Sequence, residues 1–143
     1  MKNIDSIDFC LNISRAHASL NLKLDEELGT FHGLSFGDFG LLRMLSRAEN
    51  GRMATTDLMR PLGVQLSAVT RRLILLEKVG LITREAGNSR YVAIRAAGRS
   101  LLNSALVTAG AVCDDAVRAL GPSPIALIND AMVLLGCTEA LDV

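Results

Sequence analysis

The run from Leu62 to Arg84, LGVQLSAVTRRLILLEKVGLITR, constrains this chain more than any other segment. Gly63 precedes a helix in which Leu66, Val69, Leu73 and Leu76 recur at spacings of 3, 4 and 3, the period of an apolar stripe on one helical face. Ser67, Ala68, Arg71 and Lys78 fall on the opposite side of the wheel, with Gln65 at the start. A helix buried along one seam, with small polar groups and arginine on the other, suits the major groove of DNA. Gly80 closes the helix and Leu81-Ile82-Thr83-Arg84 begins a β-branched run. The order is helix-turn-helix, then strand.

The net charge of 0 looks wrong for a nucleic-acid binder until it is divided by region. From Gly51 to Ser100 nine cations (Arg52, Arg60, Arg71, Arg72, Lys78, Arg84, Arg90, Arg95, Arg99) face three acids (Asp57, Glu77, Glu85), a local excess of six. The rest of the chain carries the compensating acids. A basic middle between acidic flanks is the footprint of a phosphate-facing surface; a solvated charged face on an ordinary helical domain is the plainer reading.

With 143 residues the chain can bury a real core in one domain, or in one domain with an extra helical part. Half its residues are hydrophobic and its mean hydropathy is +0.33. No apolar run approaches the roughly 18 residues a membrane span needs, and the start, MKNIDSIDF, lacks the apolar core of a secretory signal. A cytoplasmic protein is expected, its apolar surplus spent on a subunit interface. Cys10, Cys113 and Cys137 are odd in number and widely spaced, and read as reduced thiols.

Along the chain, residues from about Ile4 to Leu28 read as one helix, with apolar positions at Ile7, Leu11, Ala18, Leu22 and Leu28 and a stop at Gly29. Ser35 can cap a second helix whose stripe is Phe36, Phe39, Leu42 and Leu45, reaching about Ala48. Glu49-Asn50-Gly51 is a turn, Arg52-Met53 a very short strand, and Thr55 to Leu62 a third helix with Pro61 near its end. After the fourth helix, at 65–79, comes a hairpin from Leu81 to Ile94 turning at Ala86-Gly87-Asn88-Ser89. A long helix is expected from Ala96 to Leu120. A last one starts where Ser123 caps and Pro124 takes the first helical position, and runs to Leu135 with Gly136 as its stop. Beyond Ser100 the chain is so rich in leucine, valine, alanine and isoleucine that a twofold partner is expected to cover it.

In this order the residues resemble the MarR family of bacterial winged-helix transcription regulators over nearly the full length. The resemblance is carried by Gly33-Leu34-Ser35, then Leu62-Gly63-Val64, then Ser67-Ala68-Val69-Thr70-Arg71. Leu76-Glu77-Lys78-x-Gly80-Leu81-Ile82-x-Arg84 follows, and Gly98 opens the fifth helix. It implies a mainly α fold with a small β-hairpin wing, in the order α-α-β-α-α-β-β-α-α. Residues 34–95 would form the winged helix-turn-helix DNA-binding region, and 1–30 with 96–143 a helical dimerisation region. It further implies a homodimer whose recognition helices, 65–79, enter the major groove of a pseudo-palindromic operator in double-stranded DNA. The DNA-bound protein would repress nearby genes until released by a small aromatic, phenolic or carboxylate ligand, or by an oxidant.

Carried across by position, Gln65, Ser67, Ala68, Thr70, Arg71 and Arg72 take the recognition-helix places. Arg71 suits a guanine edge and Ala68 a thymine methyl, while Ser67, Thr70 and Arg72 suit phosphates. Thr70 has a second reading, packing with an intrahelical hydrogen bond. Gln65 stands where a serine or threonine cap is usual. The wing is about four residues shorter than the family's, and its usual Asp-x-Arg turn is replaced by Gly87-Asn88-Ser89-Arg90. Arg84, Asn88 and Arg90 are the wing's candidate DNA contacts, Arg90 being the nearest equivalent of the minor-groove arginine. Arg95 replaces the strand-ending threonine.

The family's effector crevice lies between the first, second and fifth helices, where Arg15, His17 and His32 could face a carboxylate or phenolate; exposed or hydrogen-bonded side chains are the plainer reading. Cys10 sits where the hydroperoxide-sensing branch carries its reactive thiol, but no tyrosine precedes Tyr91 to activate it, and it reads first as a small buried apolar residue. Cys113 and Cys137 read as interface packing. No metal site, cofactor or catalytic motif is expected, so the chain is no enzyme. The rival functional classes are a winged-helix interaction protein with weak or no DNA binding and a thiol-based redox regulator acting through Cys10.

Overall fold

The computed structural model describes residues 3–85 and 88–136. It contains the helices α1 (Ser6–His32), α2 (Phe36–Arg47), α3 (Thr55–Leu62), α4 (Leu66–Lys78), α5 (Ala96–Val117) and α6 (Pro122–Leu134), and the strands β1 (Arg52–Ala54), β2 (Ile82–Glu85) and β3 (Asn88–Ile94). The strands form one antiparallel sheet in the order β1-β3-β2, with Met53 and Arg84 both opposite Val92. This is the expected winged helix-turn-helix with added helices.

Local chemistry explains most boundaries. Asp5 caps α1 through the Asp8 amide at 2.7 Å, and Ser35 caps α2 through the Asp38 amide at 3.0 Å. The first helix runs past its expected stop: Gly29 lies inside it, and Gly33, at φ 66°, is the left-handed residue that ends it. A glycine inside a helix costs only about 1 kcal/mol against alanine, and the extra turn brings His32 within 2.7 Å of Thr108 and ends on the Gly33 cap. The last helix starts earlier than expected, with Gly121 as its cap and Pro122 at its first position. Asn88, expected in the turn, instead pairs with Glu85, and Ser89 follows it within β3; Ala86 and Gly87, also assigned to that turn, lie outside the described residues.

One core joins α3, α4 and the sheet to the long helices. Leu24 and Leu28 of α1, Leu41, Leu42 and Leu45 of α2, Leu58 of α3, Val69 and Leu73 of α4, Ile82 and Val92 of the sheet, and Leu102 and Ala105 of α5 are all buried. Asp25 clamps α1 to α2 by accepting the Phe36 amide at 2.6 Å, and Asn21 steadies that carboxylate at 3.0 Å. Gly98 lets the first turn of α5 lie directly on the Leu81 carbonyl; a methyl group there would overlap that oxygen.

Of the apolar positions expected on α1, Leu28 lies on its core face, but Ile7, Leu11, Ala18 and Leu22 do not. Leu20, Leu24 and Leu28 face inward, whereas Ile7, Leu11 and Leu22 are exposed within the chain. No residue of α6 is buried, and its Ile125, Leu127, Ile128 and Leu134 face outward. Cys10, expected buried, is exposed on the N-terminal half of α1, which carries no buried residue. Among the described residues no helix is long and apolar enough to cross a membrane.

Candidate nucleic-acid interface

The site is built on α4. Val69, Leu73 and Leu76 fix this helix to the core, which turns Ser67, Arg71 and Lys78 outward, all three exposed. Leu66 belongs to the buried stripe by azimuth, within about 20° of Leu73 at 100° per residue, yet it is 46% exposed. Its place in the first turn, beyond the end of the core, decides this. Gln65 occupies the cap position without a side-chain hydrogen bond, and no acid stands in the first turn. The positive end of the helix therefore faces outward uncompensated. Beside it an open groove of about 470 Å³ is lined by Thr56, Met59, Arg60, Gly63, Val64 and Gln65.

The remaining recognition-helix positions divide. Ala68 and Thr70 are half-buried at the edges of the outward face. Arg72 is half-buried and leans over Gly37 near the start of α2, so close that a methyl on Gly37 would lie 2.7 Å from Arg72 Cζ. Its guanidinium borders two helices, which sequence periodicity alone could not reveal.

Two further cations hold the wing. Arg84 donates through Nε and Nη2 to Glu77 at 3.3 and 3.2 Å, and its backbone N–H donates to the same carboxylate at 2.9 Å. These bonds hold the Glu77 carboxyl below its ordinary pKa, the Arg84 side-chain bond first among them. Arg52 reaches across β3 to Glu85, with Nε 2.6 Å from Oε1, and its guanidinium lies 4.2 Å above the Tyr91 ring. Arg90 is exposed within β3. Asn88 lies on the same strand, and its side chain is outside the described residues. Ion pairs among the described residues engage Arg52, Arg84 and Arg118, leaving Arg71 and Lys78 with no acidic partner there.

The three candidate effector contacts are not brought together. His32 Nε2 is 2.7 Å from Thr108 Oγ1, tying α1 to α5. Arg15 and His17 are exposed on the same straight helix, roughly 22–25 Å further along its axis. Cys113 is half-buried against the core, and burial followed by the charge of Asp114 pushes its thiol pKa up. Cys137 lies outside the described residues. Among the described residues no three histidine, cysteine or carboxylate side chains converge as metal ligands.

No protein-family model matches the sequence, and neither does any curated protein. Solved structures do match. A MarR family regulator of Rhodococcus sp. RHA1 superposes with a TM-score of 0.83 at 16% identity, over 94% of this chain and 98% of the other. Sco3205, a MarR family regulator of Streptomyces coelicolor solved in complex with DNA, gives 0.80 at 20% identity, over 94% and 89%. Rv2887 of Mycobacterium tuberculosis, a MarR family protein in complex with p-aminosalicylic acid, gives 0.70 at 25% identity, over 88% and 96%. The fold is the MarR fold.

Proposed function

We propose that this MarR-fold chain is a transcription regulator that acts by binding double-stranded DNA and not by catalysis. In this reading two copies form a homodimer and place α4 of each in the major groove of a pseudo-palindromic operator. The observation that carries it is the outward row of Ser67, Arg71 and Lys78, backed by a buried seam and free of acidic partners among the described residues. Arg71 is assigned to a base edge, with Gln65, Ser67, Ala68 and Thr70 around it. Arg90 and Asn88 are the wing's contacts. Arg84 and Arg72, given their neighbours, position the wing and α4 as much as they meet phosphate.

Residues 34–95 are assigned to DNA binding, and 1–30 with 96–143 to dimerisation, because α6 carries the largest group of exposed aliphatics and the start of α1 adds Ile7 and Leu11. The DNA-bound state is read as repression, relieved by a small aromatic or carboxylate effector near the α1–α5 junction at His32. The salicylate-type ligand of Rv2887 supports that chemical class. Selection of full-length protein on a random duplex library tests the core of the reading. It should enrich a two-fold-symmetric motif with half-sites about one helical turn apart; recovery of unenriched sequence contradicts it.

A further inference from the structure

The outward face of α4 carries more than polar groups. One turn beyond Arg71 stand Ile74, 46% exposed, and Leu75, 61% exposed. At 100° per residue they flank the line from Arg71 to Lys78, about 60° to one side and 40° to the other. Two branched aliphatics thus sit between two cations on a surface that the fold leaves uncovered. Such residues on a solvated helix face gain nothing from the chain's own core, which Leu73 and Leu76 already meet from the other side.

The frame around the pair selects its occupant. The nearby acid, Glu77, is taken up by Arg84, so Arg71 and Lys78 bracket the aliphatics with net positive charge. A polyanion complements that frame, and in the major groove duplex DNA displays an apolar group of its own, the 5-methyl of thymine. We infer that Ile74, with Leu75 beside it, reads a thymine methyl next to the base contacted by Arg71, and so helps to set sequence preference. This rests on the DNA-binding reading and adds to it a base and a position. Ile74 lies three residues beyond Arg71, about 4.5 Å along the helix axis, which is one to two base-pair steps of about 3.4 Å.

The test uses the full chain and the duplex enriched by its own selection as probe, synthesised with thymine or with deoxyuridine, which lacks the methyl, at each position in turn. Anisotropy titrations compare the native protein with Ile74→Ala, Leu75→Ala and Arg71→Ala. Expected is one thymine, one or two steps from the base pair whose preference Arg71→Ala abolishes. Its replacement by deoxyuridine should weaken native binding about fourfold per half-site, the size of one buried methyl, and Ile74→Ala should bind both duplexes alike. Circular dichroism should show the variants folded, the substituted side chains being on the surface. Equal binding of the thymine and deoxyuridine duplexes by the native chain, at a site that Arg71→Ala still disrupts, overturns the inference while sparing the DNA reading. Full discrimination retained in both aliphatic variants overturns it as well, as does loss of self-association in them with discrimination unchanged, which would make the face a contact between copies. Failure to enrich any duplex removes the DNA reading and this inference together.

Discussion

Glu77 and Arg84 are joined three times: the carboxylate receives the Arg84 backbone N–H at 2.9 Å and two guanidinium nitrogens at 3.2 and 3.3 Å. Glu77 is in the last turn of α4 and Arg84 in β2, so this pair ties the end of α4 to the first strand of the hairpin.

Glu77→Gln should therefore lower stability at neutral pH. Because the folded state holds the Glu77 carboxyl below its ordinary pKa, the native pair contributes fully above the ordinary glutamate value of about 4.3. That contribution is lost as pH falls through the lower folded value. Thermal melts from pH 7 downward should show the gap between native and variant closing on the acid side. A gap that persists unchanged at the most acid folded pH contradicts the linkage.

Two glycines separate backbone from side-chain crowding. At Gly98 an added methyl overlaps the Leu81 carbonyl, a backbone atom that already accepts the Arg95 amide at 3.0 Å and cannot yield. At Gly37 it meets the far end of Arg72, which can swing away. Gly98→Ala should cost at least about 2 kcal/mol and Gly37→Ala under about 1 kcal/mol in denaturant unfolding. The Gly37 variant, with Arg72 displaced, should also bind DNA differently from the native chain.

The sequence reads well where one periodicity serves one surface. In α2, Phe39, Leu42 and Leu45 are buried as their spacing implies, and in α4 Val69, Leu73 and Leu76 are. It reads poorly where a helix has two apolar faces. On α1 the expected positions Ile7, Leu11, Ala18, Leu22 and Leu28 and the core row Leu20-Leu24-Leu28 share Leu28 and overlap in one dimension, and only packing assigns Leu20 and Leu24 to the core. Gly29 and Gly33 carry the same stop signal, and the helix runs to the later one, where His32 meets Thr108 of α5. Within the site, the outward exposure of Arg71 was legible from its azimuth, whereas the partners of Arg84 and Arg72, and the Arg52–Glu85 pair across β3, depend on chain folding that spacing does not encode. Ile74 and Leu75 were not singled out from the sequence, where Ala68 alone was matched to a thymine methyl. Their aliphatic character outside the 3-4-3 stripe was the signal available.

The exposed aliphatics of α6 give the subunit reading a direct check. Leu127 is 72% exposed, so Leu127→Glu should leave the monomer fold intact while placing a charge where the partner is proposed to lie. Sedimentation should show the native chain as a dimer and the variant shifted towards monomer at the same concentration. A native chain that sediments as a monomer at micromolar concentration contradicts the assignment of α1 and α6 to a partner.

The central claim is that the outward face of α4 engages duplex DNA, and the salt dependence of binding tests it most directly. Affinity of the full chain for its selected duplex should fall with a slope of log K against log salt of about −4 or steeper, matching roughly five released counterions per dimer. Arg71→Ala should cost about 1–3 kcal/mol on that duplex and much less on random DNA. A flat salt response, or an Arg71→Ala variant that binds the selected duplex as tightly as the native chain, contradicts it.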